Sequence, residues 1–227
     1  MITYHHEVTQ GSDEWLQMRC GLICASEMKL IVTPAQLKKA SNADSRAHLY
    51  ELLAQRLTKY VEPHYISDDM MRGQEDEVDA KILYNANYAP VQDVGFLVND
   101  KWGFSIGFSP DGLVGDDGLI ECKSRRQKYQ IETISNGAMP IDYMLQVQTG
   151  LLVSERKWCD FISYSGGLPM MTVRVEPDLA VQKAIVAAAT AFEDELLEKM
   201  LQYKGQLKSE KLRFLPTERR VEKEIVI

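Results

Sequence analysis

Apolar residues in the first half of the chain recur at the three-to-four-residue spacing that is typical of amphipathic helices. Ser12 is suited to cap a short helix from Asp13 to about Arg19, which Gly21 would end. A second helix is predicted to start at Ser26. These residues predict a helical beginning for the chain.

Two longer helices are predicted over 44–60 and 70–86. In the second of them, Val78 and Ile82 are predicted to face inward. The first carries one apolar stripe, formed by Leu49, Leu53, Leu57 and Tyr60.

The pattern then changes to short runs of β-branched and aromatic residues, which are typical of strands. Turn signals separate the first three runs, at Asn99-Asp100 and at 115–118, and this arrangement predicts an antiparallel meander. Later, two more strands and two helices are predicted, and Ile225-Val226-Ile227 could form a last strand. Helices flanking a central mixed β-sheet, an α/β fold, are therefore expected. The predicted strands cover 91–98, 102–108, 119–124, 158–164 and 170–176, and the later helices cover 143–153 and 178–203.

Composition places the chain among globular proteins, since 45% of its 227 residues are hydrophobic and 26% are charged. It has no internal repeat and no Pro/Gly-rich linker, so 1–227 is predicted to be one domain whose segment from about 205 could be an extended tail. No apolar run is long enough for a membrane span. The N-terminus lacks the features of a signal peptide, and a cytosolic protein is expected.

The four cysteines do not form the pairs of a zinc site. They are expected to be reduced, buried thiols, and an iron–sulfur cluster is the alternative. The net charge of −7 has the wrong sign for a protein that binds DNA over its whole surface. It leaves room for an enzyme that holds DNA in a confined basic channel, because the local field matters more than the total charge. The cysteines are Cys20, Cys24, Cys122 and Cys159.

One segment combines two carboxylates and a lysine. Side chains alternate across a strand, so Glu121 and Lys123 should project from the same face, and the turn at 115–118 should fold that strand back beside Asp111. Two carboxylates suit a hard cation such as Mg²⁺, to which the backbone carbonyl of Cys122 could add a further oxygen. Lys123 could orient a water molecule and stabilise developing charge in phosphodiester hydrolysis.

This pattern is short enough to recur by chance, as a surface aspartate in a turn and an exposed Glu-x-Lys pair on an edge strand. The apolar neighbours of Glu121 favour the functional interpretation, because a charge inside an apolar strand needs a reason. Glu77 on the 70–86 helix is a further candidate ligand for a second metal, while Glu75 and Asp76 would form a solvated acidic face.

On the later helix, Gln146 and Gln148 lie two residues apart and point in different directions, so one of them should contact the site. Arg19 ends the first helix and Ser26 precedes the second, which together could bind a phosphate. The alternative is that Ser26 only caps its helix and that Arg19 only complements a helix C-terminus.

These residues resemble the YqaJ-type viral recombinases, a family that includes the exonuclease of bacteriophage lambda. The resemblance covers Gly11 to about Gly150 in six ordered blocks, and their order makes it specific. The blocks are Gly11-Ser-Asp-Glu-Trp15, Arg19-x-Gly21-x-Ile23-x-Ala25-Ser26-Glu27, Gly73-x-x-x-Glu77, Ser109-Pro-Asp-Gly112, Glu121-x-Lys123 and Tyr143-x-x-Gln146-Val-Gln148.

The resemblance implies a PD-(D/E)XK nuclease-like core and an enzyme that degrades one strand of double-stranded DNA 5′→3′ from 5′-phosphorylated ends. It implies Mg²⁺, as two ions for which Mn²⁺ substitutes. It also implies a ring-shaped homotrimer, a single-strand annealing partner in phage recombination, and the cytoplasm of a bacterial host as its location. By the resemblance, the metal ligands are Glu77, Asp111, Glu121 and the carbonyl of Cys122, the catalytic residues include Lys123 and Gln146, and the 5′-phosphate pocket consists of Arg19 and Ser26.

The chain departs from the family at one point. The lambda enzyme has a DNA-contacting arginine in the loop after the second helix, where a gapless match places Ala35, with Lys38 and Lys39 nearby. Two other functions stay open. One is a restriction or RecB-like endonuclease of the same fold, which would cut closed circular DNA, and the other is a non-enzymatic DNA-end-binding protein.

Overall fold

The structure is a computed structural model that describes residues 1–63 and 67–219. The strand suggested for Ile225-Val226-Ile227 lies outside the described residues. Within them, short strands and helices alternate, and a 28-residue helix is the last element. The helices are α1 (Asp13–Arg19), α2 (Ala43–Thr58), α3 (Asp68–Asn87), α4 (Gln127–Asn136), α5 (Met144–Ser154) and α6 (Leu179–Gln206), with 3₁₀ turns at Ala25–Leu30 and Ile141–Tyr143. The strands are β1 (Ile2–His5), β2 (Ile23–Cys24), β3 (Val32–Thr33), β4 (Lys38–Lys39), β5 (Phe96–Asn99), β6 (Ile106–Phe108), β7 (Gly112–Val114), β8 (Gly118–Ser124), β9 (Trp158–Tyr164) and β10 (Met171–Val175).

Two four-stranded sheets form the centre of the fold, in the orders β1-β5-β6-β2 and β10-β9-β8-β7. Each sheet is mixed, because β2 pairs with β6 in parallel and β8 pairs with β9 in parallel, while the other neighbours are antiparallel. The expected α/β class, a mixed sheet flanked by helices, is confirmed. The strands at its centre are divided between two sheets.

The predicted antiparallel meander is wrong in one respect. β5 and β6 pair as expected, but β8 lies in the other sheet. The reason is the additional strand β7, which forms a hairpin with β8 and directs it toward β9. The strands expected at 91–98 and 102–108 are also shorter, since regular pairing begins only at Phe96 and Ile106.

The prediction that Val78 and Ile82 face inward on α3 is wrong, because 57% and 60% of their surfaces are exposed. The buried positions are Ala80 and Tyr84, which pack against Ile120. The small Ala80 side chain lets the helix approach the sheet closely. Tyr84 places its ring in this small core and its hydroxyl on a polar partner, which Ile82 could not do.

The stripe predicted on α2 is correct at Leu49 and Leu53, which are buried in the main core, and Leu57 packs against that core. Tyr60 lies beyond the helix, which ends at Thr58 because Lys59 adopts a left-handed backbone conformation.

The element predicted at Ser26 is a 3₁₀ helix that begins at Ala25, so Ser26 lies inside its first turn and does not cap it.

The cysteines are free thiols, and Cys24, Cys122 and Cys159 are buried as expected, while Cys20 is half-buried.

Gln206 ends α6, close to where the extended tail was predicted to begin, and the described residues that follow it form no helix or strand. Among the described residues, no helix combines the length and the apolar character that crossing a membrane requires.

Candidate active site

A hairpin brings Asp111 next to the strand that carries Glu121. β7 follows Asp111 directly and pairs with β8, with Gly112 opposite Ile120. Gly112 is needed here because a Cβ atom would meet Cγ1 of Val91 at 2.2 Å. As a result, Oδ2 of Asp111 accepts a hydrogen bond of 2.5 Å from the backbone N–H of Cys122.

Glu121 and Lys123 project from the same face of β8, as the alternation of side chains predicted. Nζ of Lys123 lies 2.6 Å from Oε1 of Glu121. Nε2 of Gln146, on α5, donates a hydrogen bond of 2.5 Å to the same oxygen. Only 2% of the Glu121 side chain is exposed. One buried carboxylate oxygen therefore receives both a cation and an amide donor.

The two glutamines on α5 have different roles, as expected from their spacing. Gln146 contacts Glu121, whereas Gln148 donates to the backbone carbonyl of Glu176 at 2.8 Å and accepts from the backbone N–H of Asp178 at 2.8 Å. Gln148 therefore fixes the start of α6.

Glu77 approaches the site from α3. Its side chain is 31% exposed, and its Oε1 lies 3.8 Å from Nζ of Lys81. Burial, and then the neighbouring charge of Asp111, raise the pKa of Glu77 to about 7. The acidic helix face expected around it is partly wrong, because Oδ2 of Asp76 accepts a hydrogen bond of 2.5 Å from Oγ of Ser124 on β8. Glu75 is exposed as predicted.

The three carboxyl groups of Glu77, Asp111 and Glu121 have too little positive charge near them, although Lys123 lies among them. Burial, together with the charges of Asp111 and Glu77, raises the pKa of Glu121 to about 8 against the opposing effect of the Lys123 ammonium. Burial also raises the pKa of Asp111, against the opposing effect of Lys123. Burial alone would lower the pKa of Lys123, but Glu121 and Asp111 raise it above its usual value.

The donor set fits a hard divalent cation. Oε2 of Glu121 is buried and has no hydrogen-bond partner among the described residues, and two further carboxylates lie close enough to raise its pKa. A cation with oxygen ligands would satisfy that atom and relieve the mutual repulsion. Among the described residues, no group of three or more His, Cys, Asp or Glu side chains is arranged to hold a metal ion in this conformation. In this conformation, Oε1 of Glu121 contacts Lys123 and Gln146, and Oδ2 of Asp111 contacts the backbone of β8.

Arg19 and Ser26 lie together, as predicted. Nη2 of Arg19 is 3.2 Å from Oγ of Ser26 and 3.4 Å from Oε1 of Glu27. The guanidinium group stacks on Trp15 at 4.4 Å from the ring centroid. Nε1 of Trp15 donates to Oγ of Ser109 at 2.7 Å, which connects the arginine to the loop that holds Asp111.

A cavity of about 270 Å³ is lined by Ser26 of the predicted phosphate pair and by Gln146, which contacts Glu121. Ser26 and Lys29 lie on one side of it, and Tyr143 and Gln146 on the other. The cavity therefore connects the predicted phosphate site with the residue that contacts Glu121.

The comparisons with known proteins identify the family of this chain. The family model of the YqaJ-like viral recombinase domain matches residues 14–157. The chain belongs to this family. Among solved structures, the alkaline exonuclease LHK-Exo from Laribacter hongkongensis is 33% identical, with a TM-score of 0.77 over 86% of this chain and 98% of that one. Its complex with dAMP gives a TM-score of 0.78 at the same identity and coverage.

A phage-related exonuclease from Haemophilus somnus 129PT shares the fold at 14% identity, with a TM-score of 0.56 over 79% of this chain and 96% of that one. None of the curated proteins compared with the chain matches it.

The YqaJ-like domain contains every candidate site residue, since Arg19 and Gln146 are the first and last of them. Helix α6 lies outside the matched range and packs against α5 and α2. Sequence reasoning did not identify the structural roles of Trp15 and Ser109, although both lie within the motif blocks. It also missed Lys29, for which the sequence contains no signal, because only the fold brings it to the cavity.

Proposed function

We propose that this protein is a Mg²⁺-dependent exonuclease that digests one strand of double-stranded DNA 5′→3′ from 5′-phosphorylated ends and leaves 3′ single-stranded overhangs. The observation that supports this most is the buried Glu121 carboxylate, which contacts both Lys123 and Gln146 and has Asp111 directly before the adjacent strand β7. A structural role alone would not require an acid at a position with 2% exposure that is surrounded by apolar residues.

In this proposal, Glu77, Asp111, Glu121 and the carbonyl of Cys122 hold two Mg²⁺ ions, or Mn²⁺ as a substitute. When bound, the ions would lower the pKa of the attacking water and neutralise charge on the phosphate. Gln146 fixes the orientation of Glu121.

Lys123 supplies a positive charge for the phosphate in the transition state and helps to orient the water molecule. Its ammonium group is already fixed by Glu121, so it needs little rearrangement during the reaction.

Arg19 and Ser26 bind the 5′-terminal phosphate. Trp15 and Glu27 hold the guanidinium group in place, so its remaining donors have a fixed direction. Ser26 and Gln146 line the same cavity of about 270 Å³, which supports a terminal nucleotide between the phosphate site and the carboxylates. We therefore expect the enzyme to release one nucleotide at a time from the end.

The partners follow from the same proposal and from the family. The substrate is a double-stranded DNA end, the active form is a homotrimeric ring, and a single-strand annealing protein uses the overhang in phage-type recombination in the bacterial cytoplasm. Enclosure in a ring is consistent with a chain of net charge −7, since a closed ring retains DNA without strong attraction to its outer surface.

The experiment that tests this function uses linear duplex DNA labelled at the 5′ end of one strand or at its 3′ end, with Mg²⁺. Early release of a labelled mononucleotide from the 5′ end, with the 3′ label retained in long products, is expected. Cleavage of covalently closed circular duplex would instead identify an endonuclease. Binding of DNA ends without any product would identify a non-enzymatic protein.

A further inference from the structure

Helix α3 carries Glu77 but has little apolar contact with the rest of the protein. Val78, Ile82 and Leu83 are 57%, 60% and 42% exposed. Among the residues of α3 whose side chains are described, only Ala80 and Tyr84 are buried. Hydrophobic packing alone therefore fixes this helix weakly, and its polar contacts become important for the position of Glu77.

Tyr84 makes a buried polar contact between this helix and the sheet. Its hydroxyl donates a hydrogen bond of 2.7 Å to Oδ2 of Asp160 on β9, and Asp160 is 5% exposed. Nε and Nη2 of Arg174 on β10 donate to the two oxygens of Asp160 at 2.8 and 2.9 Å. The Arg174 guanidinium in turn stacks on Trp158 at 3.7 Å from the ring centroid. Arg174 therefore holds the Asp160 carboxylate in place, and the hydrogen bond from Tyr84 attaches α3 to it.

A second contact lies on the other side of Glu77. Oγ of Ser124 donates to Oδ2 of Asp76 at 2.5 Å, and Ser124 follows Lys123 on β8. Tyr84 lies seven residues after Glu77, which is two helical turns, so both face the sheet. Asp160 is paired with Ile120, the neighbour of Glu121. The two contacts thus fix α3 to the same part of β8 and β9 that carries the buried carboxylate.

We propose that Tyr84 is a positioning residue: its hydrogen bond to Asp160, together with that between Ser124 and Asp76, sets the position of Glu77 relative to Asp111 and Glu121 for binding a divalent cation. This inference rests on the proposed function of the carboxylate group. The Tyr84 hydroxyl donates to Asp160 and not to the candidate metal ligands Glu77, Asp111 and Glu121. Groups that hydrogen-bond directly to metal ligands commonly change metal affinity about 10- to 100-fold when they are lost, and Tyr84, which acts through the helix, is expected at the lower end of that range.

The test measures Mn²⁺ binding by electron paramagnetic resonance, without DNA, in the full-length protein. Tyr84→Phe removes only the hydroxyl and leaves Asp160 paired with Arg174. We expect its dissociation constant for Mn²⁺ to rise about 10-fold. Tyr164→Phe is the matched control, because the Tyr164 hydroxyl makes a long, exposed contact of 3.4 Å with Asp79 on the same helix, and it should leave the constant unchanged.

A structural effect is separated from positioning by repeating the substitution in a Glu77→Gln background. If Tyr84 acts through Glu77, Tyr84→Phe should then change Mn²⁺ affinity by less than about 2-fold. An equal loss in both backgrounds, or unchanged affinity in Tyr84→Phe, would overturn the inference.

Ser124→Ala tests the second contact in the same way, including the case in which Tyr84→Phe does not fold. It should weaken Mn²⁺ binding only when Glu77 is present, and an effect of equal size in Glu77→Gln would count against the proposal. If the wild-type protein binds no Mn²⁺, the proposed function fails together with this inference. If the wild-type protein binds Mn²⁺ and cleaves DNA while Tyr84→Phe and Ser124→Ala bind normally, only the inference fails.

Discussion

The buried carboxyl of Glu121 should make the stability of the metal-free protein depend on pH. Burial raises its pKa from 4.5 to about 8. The folded protein therefore keeps this proton at pH values at which the unfolded chain has lost it. Stability falls with rising pH wherever the folded state binds more protons. The contribution of Glu121 to the free energy of unfolding should therefore be largest below about pH 4.5. It should decrease as the pH rises from there to about pH 8.

The size of the effect follows from the shift. One pKa unit corresponds to about 1.36 kcal/mol, so the interval from about pH 5.5 to about pH 8 contains a loss of about 3 kcal/mol from Glu121. For a chain of this length, 1 kcal/mol changes the melting temperature by about 2–4 °C, which gives a fall of roughly 6–12 °C. Burial also raises the pKa of Glu77, to about 7, and that of Asp111, so both act in the same direction.

Thermal unfolding in a chelator, followed by circular dichroism across this pH range, measures the effect. Glu121→Gln should flatten the decrease, and added Mg²⁺ should flatten it in the wild type, because the cation binds the ionised carboxylates. Glu132→Gln is the control for the loss of one negative charge, since Glu132 is exposed on α4, and it should keep the wild-type slope. A slope that is the same in Glu121→Gln, or that Mg²⁺ leaves unchanged, would refute both the electrostatic reasoning and the assignment of this group to metal binding.

The other predictions concern activity and assembly. Glu121→Gln and Lys123→Ala should each reduce the cleavage rate at least about 100-fold with an unchanged circular dichroism spectrum, because in the proposed mechanism Glu121 holds the metal and Lys123 stabilises the reacting phosphate; near-normal rates would remove them from the mechanism. Replacing Mg²⁺ by Ca²⁺ should retain DNA binding in a gel-shift assay and suppress hydrolysis, whereas full activity in a chelator would contradict any metal-dependent scheme. Arg19→Ala should lose a charge-assisted contact of about 1.5–3 kcal/mol and with it most of the preference for 5′-phosphorylated over 5′-hydroxyl duplex, measured as a ratio of initial rates; a preserved ratio would return Arg19 to a structural role. Light scattering should give three times the 25.8 kDa of one chain, and a monomer at assay concentration would exclude the ring.

Local patterns were sufficient for several elements of this fold. The Ser12 cap and the run of apolar and aromatic residues at 158–164 predicted their elements correctly, since both depend on neighbours in sequence. The division of the strands between two sheets could not be predicted in this way. It depends on β7, a strand of three residues whose partner is recognisable only once the hairpin has formed.

In the site, too, arrangements between neighbours in sequence could be predicted, and contacts that depend on the fold could not. The shared face of Glu121 and Lys123 follows from the two-residue period of a strand, which the sequence contains. The choice between Gln146 and Gln148 depends on where α5 crosses β8 and on the backbone before α6. The contact between Trp15 and Ser109 joins residues 94 positions apart, and no local pattern encodes it.

The same wrong inference about α3 explains why Tyr84 was missed. Helical periodicity favoured the larger aliphatic side chains of Val78 and Ile82, although two faces of this helix carry apolar residues. The buried face combines apolar packing with a polar interaction, because Asp160, which Arg174 also contacts, accepts a hydrogen bond from the Tyr84 hydroxyl. The Asp160 side chain is only 8% exposed, and a buried carboxylate requires its hydrogen-bonding capacity to be satisfied. The helix that carries Glu77 is therefore oriented by charge as much as by hydrophobic burial, and its position could be predicted only from the two strands that hold this pair.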